Sequence, residues 1–86
     1  MIKEGFVLRK MPGMNLVMPV GENVKKFNGA IMLNDTGAIV YEELQRNSAV
    51  EDIARRLSGE YRVSLEHAMA DAQEAIDALR EAGVAE

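Results

Sequence analysis

The stretch Phe27–Leu44, FNGAIMLNDTGAIVYEEL, decides how the two halves of this chain are joined. Its apolar run, Ala30–Leu33, is too hydrophobic for an ordinary loop, and the polar segment Asn34–Gly37 follows directly. Asn and Asp side chains cap helix N-termini, and a carboxylate there interacts well with the helix dipole. Apolar residues then recur at helical spacing, at Val40, Tyr41 and Leu44. The stretch therefore predicts a strand over residues 29–33, then a helix capped by Asn34 or Asp35.

The chain upstream of this stretch has the two-residue period of β-strands. Residues 5–11 and 15–20 alternate in this way, with Leu16, Met18 and Val20 on one face of the second segment. Between them, Pro12 and Gly13 occupy the central positions of a type II turn, since proline fixes φ and glycine accepts φ > 0. Pro19 lacks an N–H donor, so pairing should end there or the strand should lie at an edge. A β-hairpin is predicted.

Downstream, two further helices are predicted from their start signals and apolar spacing. The segment Ser48–Glu51 fits a capping box, with a helix ending near Ser58 and Gly59. Ser64 is expected to cap a long helix that reaches Ala82 and ends at Gly83. Residues 21–28 are interpreted as a polar connection. The order predicts an α+β, winged-helix-like fold: an N-terminal three-stranded antiparallel sheet followed by three α-helices.

Composition places the chain among small globular proteins. We expect a single domain over residues 1–86, with 48% apolar and 28% charged residues. There is no cysteine and one histidine, so thiolate chemistry is excluded and His67 cannot form a zinc site alone. The sequence has neither a signal-peptide pattern nor an apolar run long enough to span a membrane, which predicts a soluble, cytoplasmic protein. The net charge of −4 disfavours a nucleic-acid partner.

No residue pattern indicates catalysis. The glycines match neither a dinucleotide nor a P-loop spacing, and no nucleophile is paired with a base. Four acidic residues of the last helix are expected on a solvated face: Asp71, Glu74, Asp77 and Glu81. We therefore predict a protein that is not an enzyme, with no cofactor and no metal.

Two features instead suggest a binding surface. Neither a charge nor a proline protects Ala30–Leu33, and an open strand edge can pair with a peptide. On the last helix, one margin of the apolar arc carries Met69, Gln73, Ile76 and Arg80, which suits a groove wall. Methionine adapts to varied partners, although core packing is its more common role and is expected for Met18 and Met32.

The chain resembles the PqqD-like family, named for pyrroloquinoline quinone synthesis protein D and related to the recognition elements of ribosomally made, modified peptides. Leu33–Gly37 followed by Ile39–Tyr41 is the most specific match. Further matching segments run through most of the chain, FVLRKMPGMNLVMPVG, SAVEDIARRL, EYRV and DAQEAIDALREAGV. Arg46 and Asn47 stand where the family often has an Asp-Gly turn, and Tyr41 stands where an aromatic residue, often tryptophan, is common.

This resemblance implies a non-catalytic chaperone that captures the leader of a precursor peptide as an added strand and presents it to a modifying enzyme, often a radical SAM enzyme. By position, the peptide would contact Ala30, Ile31, Met32, Leu33, Met69, Gln73, Ile76 and Arg80. In this hypothesis, Arg80 pairs with an acidic leader residue. The pathway is either quinone synthesis or that of another modified peptide.

Two alternatives remain open at the level of sequence. One is a winged-helix nucleic-acid-binding or regulatory domain, but residues 65–82 contain five acids and one arginine, which disfavours phosphate contact. The other is a dimerisation module in which the open strand pairs with a second copy, giving a homodimer.

Overall fold

A computed structural model describes residues 1–27 and 29–86. It contains three strands, β1 (Phe6–Met11), β2 (Met14–Pro19) and β3 (Ile31–Leu33), and four helices, α1 (Asn23–Lys26), α2 (Asp35–Gln45), α3 (Val50–Tyr61) and α4 (Leu65–Glu81). The strands form one antiparallel sheet in the order β1-β2-β3, and the three longer helices follow it in the chain. The predicted α+β fold is confirmed.

The hairpin between β1 and β2 forms as its turn residues predict. Met11 pairs with Met14, and Gly13 has a φ of 73°, the positive value that the third position of a type II turn requires. Pro19 is the last residue of β2, so the strand ends where a backbone donor is missing. β3 then pairs with β2 through Asn15 and Leu33, Leu16 and Met32, and Val17 and Ile31.

Two of the three predicted helix caps are confirmed, and one is wrong. The side chain of Asn34 accepts a hydrogen bond from the Gly37 N–H at 2.8 Å, and Ser64 Oγ accepts one from the His67 N–H at 3.0 Å. Ser48, however, does not cap α3, whose N-cap is Ala49. The helix begins one residue later than the capping box places it, and the Ser48 hydroxyl lies towards α2, where it donates a charge-assisted hydrogen bond to Glu43 Oε1 at 2.7 Å.

Other boundaries also differ from the sequence-based ones. α1 lies within the segment predicted as a polar connection; Asn28, the last residue of that segment, is outside the described residues. β3 begins at Ile31, so Gly29 and Ala30 precede the strand. α3 continues to Tyr61 rather than ending near Gly59, because the chain turns only at Arg62, which takes the left-handed conformation.

The core lies between the inner face of the sheet and the three longer helices. Its fully buried large side chains come from β2, from each of these helices and from the C-terminal segment: Tyr41, Ile53, Leu57, Leu79, Val17, Val40 and Val84. Burial raises the pKa of the Tyr41 phenol and keeps it neutral. The C-terminal segment is tied to the N-terminal one by an Ile2–Ala85 bridge. α4 packs on α3 and α2 through this core and runs beside β3.

A cluster of charged side chains joins α2 to α3. Glu43 is 8% exposed and accepts hydrogen bonds from Ser48, from Arg46 Nη1 at 3.2 Å and from Arg56 Nη1 at 2.7 Å. The hydrogen bonds from Ser48 and Arg56 hold the pKa of Glu43 below its usual range. The bonds to Glu43 and Glu60 raise the pKa of Arg56. The carboxylate is therefore ionised where it anchors the turn between the two helices.

Replacing Arg62 with glycine is expected to raise the free energy of unfolding by roughly 0.5–1 kcal/mol. Arg62 is exposed and has a φ of 53°, a left-handed conformation that a side chain disfavours and glycine accepts. The measurement is the urea midpoint. Asn47→Gly is the matched control, because Asn47 has a φ of 59° but asparagine tolerates this conformation better than arginine. A larger gain from Asn47→Gly than from Arg62→Gly would contradict the explanation.

Candidate functional site

β3 lies at an edge of the sheet, and the backbone N–H and C=O of its middle residue, Met32, make no hydrogen bond to β2. The Val20 N–H donates to the Gly5 carbonyl at 2.8 Å, and antiparallel pairs alternate between bonded and non-bonded. Followed along the registers of the two strand pairs, this alternation directs the backbone groups of Asn15 and Val17 towards Leu33 and Ile31. The N–H and C=O of Met32 therefore point outwards, away from β2. This edge is one half of the site.

The other half is a groove between the β3 edge and α4. It encloses about 380 Å³. Its sheet side is formed by Met32, Leu33 and the residues that begin α2, and its helix side by Asp71, Glu74, Ala75 and Ala78. The two alanines leave room beside the strand, since their side chains end at Cβ. If an extended peptide paired with Met32, the side chains on one face of that peptide would point into this groove.

The predicted strand residues all lie at this edge. Met32 is 69% exposed, so the expectation that it packs against neighbours is wrong, whereas Ile31 and Leu33 are half-buried against the core. Ala30 is exposed and precedes the strand. Side chains alternate along a strand, so Ile31 and Leu33 face inwards while Met32 lies on the outer face. The strand half of the predicted set is thus brought together.

The predicted helix residues are not brought to the groove. Ile76 is a core residue at 5% exposure, and Met69 is half-buried against the same core. Gln73 bonds to Asp77 at 2.9 Å on the exposed side of α4. Arg80 Nε donates to the Glu86 carbonyl at 2.8 Å, and its Nη1 lies 3.9 Å from Asp77 Oδ1. The four helix residues predicted from sequence therefore do not line the observed groove. Which residues contact a peptide stays a prediction.

Sequence reasoning missed the residues that do form the helix wall. The apolar arc of α4, centred on Ala68, Ala72 and Leu79, has two margins about 180° apart on the helical wheel. One carries Met69, Gln73 and Arg80, and the other carries Asp71 and Ala78. The amphipathic pattern of the sequence does not determine which of the two margins lies next to β3. The small side chains of Ala75 and Ala78, close to the acidic Asp71 and Glu74, were the feature of the sequence that could have indicated a groove on the second margin.

The groove is electronegative. Asp71 and Glu74 supply its charges, and among the described residues no lysine or arginine lines it. His67 Nε2 lies 3.0 Å from Asp71 Oδ2 at the rim, with the His67 side chain 61% exposed. Two of the acids expected on a solvated face therefore border the candidate site. A positively charged group is the complementary ligand for such a wall.

A smaller apolar pocket lies at the other end of β3. It encloses about 150 Å³ and is lined in part by Phe6, Phe27, Ile31 and Ala82. The two phenylalanine rings meet edge to face, with centroids 4.9 Å apart. Because Ala78 lines the acidic groove and Ala82 the apolar pocket, the two sites follow one side of α4 along β3.

Within residues 1–27 and 29–86, no group of three or more His, Cys, Asp or Glu side chains is placed to hold a metal ion. In these same ranges, none of the helices combines the length and hydrophobicity that crossing a membrane demands.

Comparison with known proteins identifies the family. The model of the family described as coenzyme PQQ synthesis protein D (PqqD) matches residues 15–85. This match covers most of the chain, including β2, β3, α4 and the groove between them. The chain belongs to the PqqD family. A search of curated proteins found no match.

A solved structure has the same fold. It is the structure of TbiB1 in complex with the TbiA(beta) leader peptide, which superimposes with a TM-score of 0.75. The similarity covers 96% of this chain and 91% of that chain, at 16% sequence identity. At this identity the similarity concerns the fold.

Proposed function

We propose that this protein is a non-catalytic chaperone that binds the leader of a ribosomally made precursor peptide by strand addition at β3. The observation that carries the proposal is the outward N–H and C=O of Met32 above a groove walled by α4. Membership of the PqqD family and the shared fold with leader-bound TbiB1 support it. The peptide pairs with Met32, beside Ala30, Ile31 and Leu33, and the wall residues Asp71, Glu74, Ala75 and Ala78 flank it.

The bound leader is then presented to a modifying enzyme, which we propose to be a radical SAM enzyme. In this role the chain orients the peptide and performs no chemistry itself. Because the precursor is made on ribosomes, the encounter takes place in the cytoplasm. A second copy of the chain is the competing partner for the same edge, since an open strand pairs with any extended backbone. Nucleic acid is disfavoured by the acidic groove wall.

Met32→Pro is expected to weaken leader binding about tenfold or more, because proline removes the outward N–H and its ring obstructs the edge. The fold should survive, since that N–H takes no part in the β2–β3 pairing and edge strands tolerate proline. Met32→Ala is the matched control: it shortens the same side chain but keeps the donor. The measurement is calorimetric titration with the leader of a precursor encoded beside this gene.

The site itself is checked by following backbone amides by NMR during the same titration. The expected shifts are at residues 31–33 and along the groove side of α4. Shifts confined to the chain termini, or equal losses from Met32→Pro and Met32→Ala, would contradict strand addition. Light scattering without and with peptide distinguishes leader capture from self-pairing.

A further inference from the structure

We infer that the site selects a leader segment carrying a basic side chain two positions away from an apolar one, with the basic side chain opposite Leu33. This inference rests on the proposed function and specifies its peptide. It reverses the charge expected from sequence, where Arg80 was paired with an acidic leader residue. Arg80 is bonded to the Glu86 carbonyl and lies outside the lining of the groove.

The register of the added strand follows from the backbone. In an antiparallel added strand, the peptide residue directly opposite Met32 exchanges hydrogen bonds with it; in a parallel one, Met32 bonds to the two peptide residues that flank this position. In both directions the residue opposite Met32 places its side chain on the outer face, like that of Met32. Its two neighbours, opposite Ile31 and Leu33, place their side chains on the inner face, towards α4. The side chains at these two peptide positions are therefore the ones that contact the groove and determine its selectivity. They are two residues apart, or about 7 Å along a strand.

The surroundings of these two positions differ in chemistry. Leu33 lines the groove together with Asp71 and Glu74. Ile31 lines the apolar pocket with Phe27 and Ala82. A lysine or arginine opposite Leu33 would reach the two carboxylates with its head group while its methylene stem lies against Ala75 and Ala78. A carboxylate at the same position would meet like charges, and an apolar side chain fits best opposite Ile31.

The acidic wall is open for such a partner. Among the described residues, Asp71 has one ion-pair partner, the exposed His67, and Glu74 has none. By contrast, Asp77, on the solvent side of α4, accepts a hydrogen bond from Gln73 and lies 3.9 Å from Arg80 Nη1. The carboxylate of Glu74 in particular is therefore available to a ligand.

The test is selection of displayed random dodecapeptides on the immobilised full chain, followed by titration of the enriched sequences as synthetic peptides. The expected motif is Lys or Arg two positions from an aliphatic or aromatic residue, in either order according to strand direction. Replacing the basic residue by Glu in the synthetic peptide should weaken binding about fivefold. Enriched peptides that bind at β3 without a basic preference would overturn this inference and leave the proposed function intact.

Variants of the wall provide the reciprocal measurement. Asp71→Asn with Glu74→Gln should abolish the preference for Lys over Glu, and Asp71→Lys with Glu74→Lys should invert it. The matched control is Glu66→Lys with Glu81→Lys, which makes the same change in net charge at exposed positions of α4 outside the groove. An equal effect from the control pair would show a general charge effect and overturn the inference. If every enriched peptide is insensitive to Met32→Pro, the proposed function itself fails.

Discussion

Replacing Leu79 with alanine is expected to lower the free energy of unfolding by about 3 kcal/mol. Leu79 is 1% exposed and lies in the centre of the packed arc of α4. Truncation removes apolar surface and leaves a cavity that the surrounding helices fill only in part. A chain of 86 residues has a total stability of roughly 4–13 kcal/mol, so this one change removes a large fraction of it.

The measurement is urea unfolding followed by circular dichroism. Leu65→Ala is the matched control, because it makes the same chemical change on the same helix at a residue that is 48% exposed. Its expected effect is within about 1 kcal/mol of zero, since alanine is a better helix former and little packing is lost. Similar losses from the two variants would contradict the placement of α4 against the core.

Replacing Glu43 with glutamine is expected to cost about 2 kcal/mol at neutral pH, because Arg56 and Ser48 then lose the carboxylate to which they donate. Breaking a shielded ion pair is more destabilising than breaking an exposed one, since the remaining charge loses its partner without full hydration. Glu42→Gln is the control. Glu42 is the adjacent residue of α2 and pairs with the exposed Lys10 at 2.9 Å, a contact worth at most about 1 kcal/mol.

This loss should depend on pH in a defined direction. The pKa of Glu43 is lowered in the folded protein relative to its ordinary value of 4.5. Its contribution to stability is therefore fully present above pH 4.5 and disappears as the pH falls through the lowered folded pKa. The difference between wild type and Glu43→Gln should shrink from pH 6 towards pH 3. A constant difference over this range would show that the ionised carboxylate is not the cause.

Local signals in the sequence were sufficient for the elements whose ends depend on a few neighbouring residues. Pro12 and Gly13 define the hairpin turn, and Asn34 and Ser64 cap helices as predicted. Ser48 does not cap α3, and its hydroxyl instead donates to Glu43 of α2, a carboxylate that also accepts from Arg56 of α3. A capping motif does not encode such contacts between helices.

One part of the candidate site was likewise predicted from sequence, and the other part was not. The edge strand was found from sequence because Ala30–Leu33 is an apolar run without a protecting charge or proline. The helix wall of the groove was not found from sequence, because an alanine-rich helix has weakly apolar residues on more than one side. Packing of α4 on α3 and α2 turns Ala75 and Ala78 towards β3 and leaves Gln73 and Arg80 outside the groove. Only the tertiary structure fixes that rotation.

The shortness of β3 has a consequence for the lifetime of the proposed complex with a leader. Only Met32 directs both backbone groups outwards from this strand, so strand addition there supplies two hydrogen bonds, worth about 1 kcal/mol each. Side chains must supply the remainder, which keeps the affinity moderate. At a dissociation constant of about 1 μM and an association rate of about 10⁶ M⁻¹s⁻¹, a complex lasts about one second. Under the proposed function, one copy of the chain would then hand over many precursor molecules in succession.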